Sequence, residues 1–147
     1  KLAVEDVPTG VGRTALKKGE IIESVELPAK KPKSGDAYLR FIPRTEMDIA
    51  VVGVGISLTL DGDKISAARV ALGAVAPKVL LVAEAAAAII GSTLDDKATA
   101  ALEAAVTAAA KPISDRRGTV EFRKDVVAVL ATRAARIAYA RAKGAKE

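Results

Sequence analysis

The segment from Ile49 to Gly73 constrains the fold more than any other part of the chain. Ile49–Leu60 reads IAVVGVGISLTL, a run dominated by β-branched residues that suit a pleated, half-buried surface. It stops at Asp61-Gly62-Asp63, and an Asp-Gly step is the chemistry of a tight hairpin turn. Ile65–Gly73, ISAARVALG, then returns as a second strand. Strands joined this tightly must run antiparallel, and a lone hairpin is barely stable in water, so further elements have to cover it. Gly53 and Gly55 are alternate residues on one face, and packing beneath a helix is the expectation for them.

The stretch before the hairpin supplies a third strand. Across Asp36–Pro43, Tyr38, Arg40 and Ile42 point one way, and Leu39 and Phe41 the other. Pro43 has no N–H for a ladder, and Arg44–Asp48 forms the turn into the long strand. Upstream, Ala29–Gly35 (AKKPKSG) is basic, contains Pro and Gly, and lacks apolar periodicity, which reads as a linker. Ile21–Leu27 (IIESVEL) reads as a strand ending at Pro28 that needs a sheet from elsewhere. Pro8–Gly12 is a loop. Its Gly10-x-Gly12 pair lacks a third spaced Gly and a following helix, so it falls short of a dinucleotide fingerprint.

Beyond Pro77 the chain is helical. Val79–Ile90 ends at Gly91. Lys97–Ala110 has Asp95 as its N-cap. Val120–Lys143 starts after Thr119 and ends before Gly144. In the last helix, Phe122, Val126, Leu130, Ala134, Ile137 and Arg141 form the expected buried stripe. The fold class is α+β: a three-stranded antiparallel sheet followed by a three-helix bundle on one face.

Composition narrows the chemistry. The chain has no Cys and no His, which excludes thiolate nucleophiles and iron–sulfur ligation and removes the commonest general base and metal ligand. No catalytic residue and no metal ligand is assigned. The net charge is +5, with positives spread along the chain. An alternative reading is therefore a basic α+β module that binds RNA or an acidic protein through the last helix. The aromatics Tyr38, Phe41, Phe122 and Tyr139 do not form a base-stacking sheet pattern, so no nucleic acid is expected. The start, KLAVEDVP, is no signal peptide, and the longest apolar run, Val79–Ile90, is too short to span a bilayer. A soluble, cytoplasmic protein is expected, with the natural chain beginning upstream because an initiating Met is missing.

A set of short motifs in order carries a resemblance. Gly12-Arg13-Thr14, Gly19-Glu20-Ile21-Ile22 and Leu27-Pro28 come first. Tyr38-x-Arg40-Phe41-x-x-Arg44-x-x-x-Asp48-Ile49-Ala50 and Asp115-x-Arg117-Gly118 follow, then a helix with Phe122-Arg123. Together they resemble the C-terminal part of the FAD-binding (medium) flavoprotein subunit of molybdenum hydroxylases, the group of carbon monoxide dehydrogenase and xanthine dehydrogenase. The resemblance implies that residues 1–28 are the tail of an FAD-binding domain, 29–35 a linker and 36–147 the flavoprotein C-terminal domain. It implies an oxidoreductase component that uses FAD, is inactive alone, and has the cofactor held mainly by an N-terminal segment that this sequence lacks. The partners implied are that segment, an iron–sulfur subunit and a molybdenum subunit. Electrons would pass from molybdenum through iron–sulfur clusters to FAD, then to NAD or a quinone-type acceptor.

Three cofactor-binding positions follow from the resemblance. Ile22 corresponds to a residue whose backbone lies near the flavin. Arg40 stands where a Lys is often found, and it either approaches the cofactor or pairs with Asp48 or Glu46. Glu46–Asp48 corresponds to an acidic loop bordering the isoalloxazine, with Asp48 a carboxylate that would bias the flavin's redox poise.

Overall fold

A computed structural model of the chain describes residues 1–45 and 48–145. Strands β3 (Ser34–Phe41), β4 (Val52–Asp61), β5 (Lys64–Gly73) and β6 (Leu80–Leu81) form one antiparallel sheet in that order. Helices α1 (Ala83–Ile89), α2 (Asp96–Ala109) and α3 (Val120–Ala142) follow. Near the N-terminus, a 3₁₀ turn (Val4–Asp6) leads into a two-stranded ribbon of β1 (Pro8–Gly10) and β2 (Arg13–Thr14).

The three expected strands form, and a fourth, short one joins them. Leu80 and Leu81 pair with Leu72 and Ala71 rather than opening a helix. The N–H of Val82 extends this pairing to the carbonyl of Val70 at 2.8 Å. The open edge of β5 offers backbone groups that need partners, and that outweighs the helical preference of the first residues after Pro77. The helix therefore starts at Ala83, without a side-chain cap. Caps form where expected on the other two: the Asp95 carboxylate accepts from the N–H of Ala98, and the Thr119 hydroxyl from that of Phe122.

One face of the sheet is apolar and carries the helices. Val52, Val54, Ile56, Leu58 and Leu60 of β4 are buried, as are Val70 and Leu72 of β5. They meet Leu102 and Val106 of α2 and Val127, Ala131, Ala134 and Ala138 of α3 in one core. Each large aliphatic side chain buried there contributes about 1.5–3 kcal/mol. The buried stripe of α3 keeps Leu130 and Ala134 from the expected one and is otherwise shifted by one residue. Arg123, Val127, Ala131, Ala135, Ala138 and Ala142 face inward, while Phe122 and Ile137 are substantially exposed. A smooth alanine surface lets the helix lie closer to the sheet than Phe or Ile would allow.

Gly35 shows how close that approach is. It pairs with Leu58 in the ladder, so β3 begins inside the expected linker. A Cβ at Gly35 would lie 2.1 Å from the carbonyl oxygen of Ala138 and 2.6 Å from the backbone nitrogen of Ala142. This glycine, not Gly53 or Gly55, accommodates a helix. Gly53 and Gly55 lie on the opposite face, where the Tyr38 ring covers them. At its far end α3 is tied to the hairpin turn and to β3: Tyr139 donates to the carbonyl of Asp63 at 2.7 Å, Arg141 to that of Asp36 at 2.7 Å, and Lys143 pairs with Asp63 at 2.9 Å.

The strand expected at Ile21–Leu27 is not formed. Residues 20–31 have no regular secondary structure, and Ile21, Ile22, Val25 and Leu27 are all more than half exposed. A strand requires a partner edge for its N–H and C=O groups, and none of the described strands supplies one.

Replacing Gly35 with Ala forces backbone apart rather than a flexible side chain. Gly35→Ala is expected to lower the unfolding free energy by about 3 kcal/mol or more, the upper end of overpacking costs. Gly10→Ala, where nothing lies within 4 Å, should stay within about 0.5 kcal/mol. Urea denaturation distinguishes them, and an unchanged midpoint for Gly35→Ala would contradict the close helix–sheet approach.

Candidate functional site

The two sheet connections differ in kind. β4 and β5 are joined by the tight Asp-Gly turn, whereas residues 42–51 intervene between the paired ends Phe41 and Val52. Antiparallel neighbours need only a short turn, and a longer loop is where binding chemistry commonly resides. The loop closes at its base, where the N–H of Val51 donates to the carbonyl of Phe41 at 2.9 Å. Ile42, Pro43, Arg44 and Thr45 line an open depression on it.

Asp48 anchors this loop. Its Oδ1 accepts from Arg117 Nε at 3.1 Å and from the N–H of Ile49 at 2.9 Å, and Oδ2 receives a longer contact from Arg44 Nε at 3.4 Å. The Asp48 side chain is only 6% exposed, against 72% for Arg44 and 35% for Arg117. Arg117 is itself positioned by a turn. Asp115 and Gly118 exchange backbone hydrogen bonds, and the Arg117 N–H donates to Asp115 Oδ1 at 2.8 Å.

Arg123, in the first turn of α3, ties these parts together. Its Nη1 donates to the carbonyl of Val51 at 2.7 Å and makes a longer contact to that of Ala74 at 3.5 Å. Its Nη2 donates to Asp115 Oδ1 at 2.7 Å. The residue is 4% exposed, and its Nε has no hydrogen-bond partner among the described residues. Beside it, Phe41 and Phe122 meet edge to face, with centroids 5.9 Å apart and an interplanar angle of 69°. Both rings are about two-fifths exposed.

The three sequence candidates do not converge. Ile22 lies in the irregular N-terminal segment and is 58% exposed. Arg40 stands on the outer sheet face in register with Gly53, and Gly53 in turn with Gly73. It makes no ion pair among the described residues. The pairing weighed for it with Asp48 is taken by Arg117 and Arg44 instead. Glu46 lies outside the described residues. The motif residues Asp115, Arg117 and Arg123 were visible in sequence without a role. Of these, Arg117 pairs with Asp48, 69 positions away, a pairing that local spacing cannot disclose.

The cluster is built to hold charge rather than to move protons. Arg117 hydrogen bonding, opposed by partial burial and reinforced by Arg44 and the Ile49 N–H, holds the Asp48 carboxyl below its usual range. Asp115 is lowered chiefly by the Arg117 N–H and then by Arg123. Carboxylates saturated by guanidiniums are poor general bases. Among the described residues, Arg44, Arg117 and Arg123 face Asp48 and Asp115, three positive charges against two negative.

Two outcomes follow. Arg123→Met leaves the Val51 carbonyl without its Arg123 donor and Asp115 with only the Arg117 N–H of its two hydrogen-bond donors, and is expected to cost about 2–3 kcal/mol in chemical denaturation. The lowered carboxyls also set an acid limb. Their contribution to stability is complete above the pKa of an unfolded Asp. It declines as pH falls below that value, and it is lost below the folded-state pKa. Asp48→Asn should therefore show a shallower fall of stability in acid than the parent, and an identical fall would contradict the pairing.

Comparison with known proteins agrees with this architecture. The family described as the CO dehydrogenase flavoprotein C-terminal domain matches residues 37–138. The carbon monoxide dehydrogenase medium chain of Afipia carboxidovorans is 35% identical over 146 residues, covering 97% of this chain and 49% of the relative. A xanthine dehydrogenase FAD-binding subunit of Escherichia coli O157:H7 is 28% identical over 120 residues, covering 81% and 41%. In the solved structure of reconstituted CO dehydrogenase from Oligotropha carboxidovorans, the matching chain superposes with a TM-score of 0.90 at 31% identity. That match covers 95% of this chain and 49% of the other. The chain thus spans about half the length of the curated relatives it matches. It belongs to the CO dehydrogenase flavoprotein C-terminal domain family.

Proposed function

We propose that this chain is the C-terminal region of an FAD-dependent electron-transfer subunit of a molybdenum hydroxylase, and that its loop end closes one edge of the flavin site. The observation that carries the reading is the juxtaposition at that end. Two partly exposed aromatic rings, Phe41 and Phe122, meet edge to face, and the Phe122 ring lies against Gly118, next in sequence to the Arg117 that pairs with Asp48, on a chain of this family. Aromatic and paired ionic groups suit the rim of a flat heteroaromatic ring with polar edges.

The fit covers the ring edge only. A pyrophosphate needs a Gly-rich turn opening onto a helix N-terminus. Here Gly10 and Gly12 flank the turn of the small ribbon, and β2 follows. The FAD diphosphate is therefore assigned to an N-terminal segment outside this sequence. When bound, FAD would supply the redox chemistry, and this chain's residues would border it, exclude water and set local charge. Asp48 is the candidate with a defined setting, Arg40 offers a cation on the outer sheet face, and Ile22 offers backbone contact.

The same reading divides the chain into 1–28 as the tail of the FAD-binding domain, 29–35 as linker and 36–147 as the C-terminal domain. The exposed Ile21, Ile22, Val25 and Leu27 support a covering surface for the tail. Partners would be the FAD-binding segment, an iron–sulfur subunit and a molybdenum subunit, in the cytoplasm. No helix among the described residues is long and apolar enough to cross a membrane. The alternative of an RNA- or acidic-protein-binding module gains no support: Arg141 and Lys143 of the last helix are engaged within the chain, and the relatives found are oxidoreductase subunits.

The test is flavin content. The longer protein that contains this chain is expected to purify with stoichiometric FAD by absorbance, while residues 1–147 alone leave added FAD free in equilibrium dialysis. A longer protein without flavin would overturn the reading.

A further inference from the structure

We infer that Arg117 is a positioning residue that sets the charge Asp48 presents to the cofactor, converting a lone carboxylate into a paired one; this rests on the reading that the 42–51 loop borders the flavin. Four observations support it. The Asp48 side chain is turned inward, at 6% exposure, although it sits in a surface loop. A charge so placed is weakly screened and acts on its neighbours more strongly than one in water. Arg117 makes the shorter of the two guanidinium contacts, 3.1 Å against 3.4 Å, and is half as exposed as Arg44. Arg44 therefore makes the weaker of the two contacts. Arg117 is also fixed before it meets Asp48, by the Asp115–Gly118 turn and the bond from its own N–H to Asp115. Arg123, buried and bonded to Asp115 and to the Val51 carbonyl, holds that turn against the base of the same loop.

The consequence is electrostatic. An uncompensated carboxylate near the flavin disfavours electrons arriving on the ring, whereas one paired with Arg117 does not. Removing Arg117 and removing Asp48 should therefore act in opposite directions, although both break the same ion pair. A purely structural role for the pair would move both variants the same way.

The experiment measures the flavin midpoint potential by spectroelectrochemistry in the longer flavin-loaded protein. Arg117→Gln should lower the potential, Asp48→Asn should raise it, and the double variant should return close to the parent value. Arg117→Lys, which keeps the charge, should stay closer to the parent than Arg117→Gln does. If Arg117→Gln loses its flavin, Asp48→Asn still tests the charge, and a potential that does not rise overturns the inference. An unchanged potential in Arg117→Gln, or a shift in the same direction as Asp48→Asn, overturns the inference. A parent protein without flavin overturns the functional reading beneath it.

Discussion

The buried guanidinium of Arg123 is the interaction on which the loop end of this domain depends. Burying an arginine is costly unless its donors are matched, and here they join three segments distant in sequence: Val51 before β4, Ala74 after β5, and Asp115 before α3. The sheet end, the long loop and the charged turn are thereby referred to one point on the helix. Its Nε has no partner among the described residues, so the site tolerates an imperfect polar arrangement in order to hold two backbone carbonyls and one carboxylate at once.

Around that point the domain has two ends with different physics. At the hairpin end, Tyr139, Arg141 and Lys143 fasten the helix terminus to Asp36 and Asp63, contacts that use cations where the helix dipole favours them. At the loop end, cations and carboxylates are interleaved around Asp48. Between the two ends, alanines of α3 and the bare Gly35 allow backbone-close packing, which keeps the separation of the ends rigid. A rigid scaffold presenting a charged loop is what a cofactor-bordering domain requires.

Much of this was legible in the residues. The hairpin, the three main strands, the helix caps at Asp95 and Thr119, and the order of elements follow from turn chemistry and periodicity. The errors share a cause. Leu80–Leu81 pairs with an edge whose exposure depends on the assembled sheet. Ile21–Leu27 has strand composition but no partner edge among the described strands. Apart from Leu130 and Ala134, the α3 stripe is displaced by one residue because alanine, weakly hydrophobic by itself, is preferred where backbones must approach. Arg123 interrupts an apolar stripe, which from sequence alone reads as an exposed position, and its meaning appears only with the three segments it joins. Asp48 could be named as a candidate, but not the Arg117 that neutralises it.

We propose that the loop end, and not the helical face, borders a flavin. The most direct test is photo-crosslinking of the longer protein with an azido-substituted FAD, followed by peptide mapping. Labels are expected within residues 36–50 and 113–123. Labelling confined to the outer surfaces of α1 and α2, or wholly absent from this chain, would contradict the account.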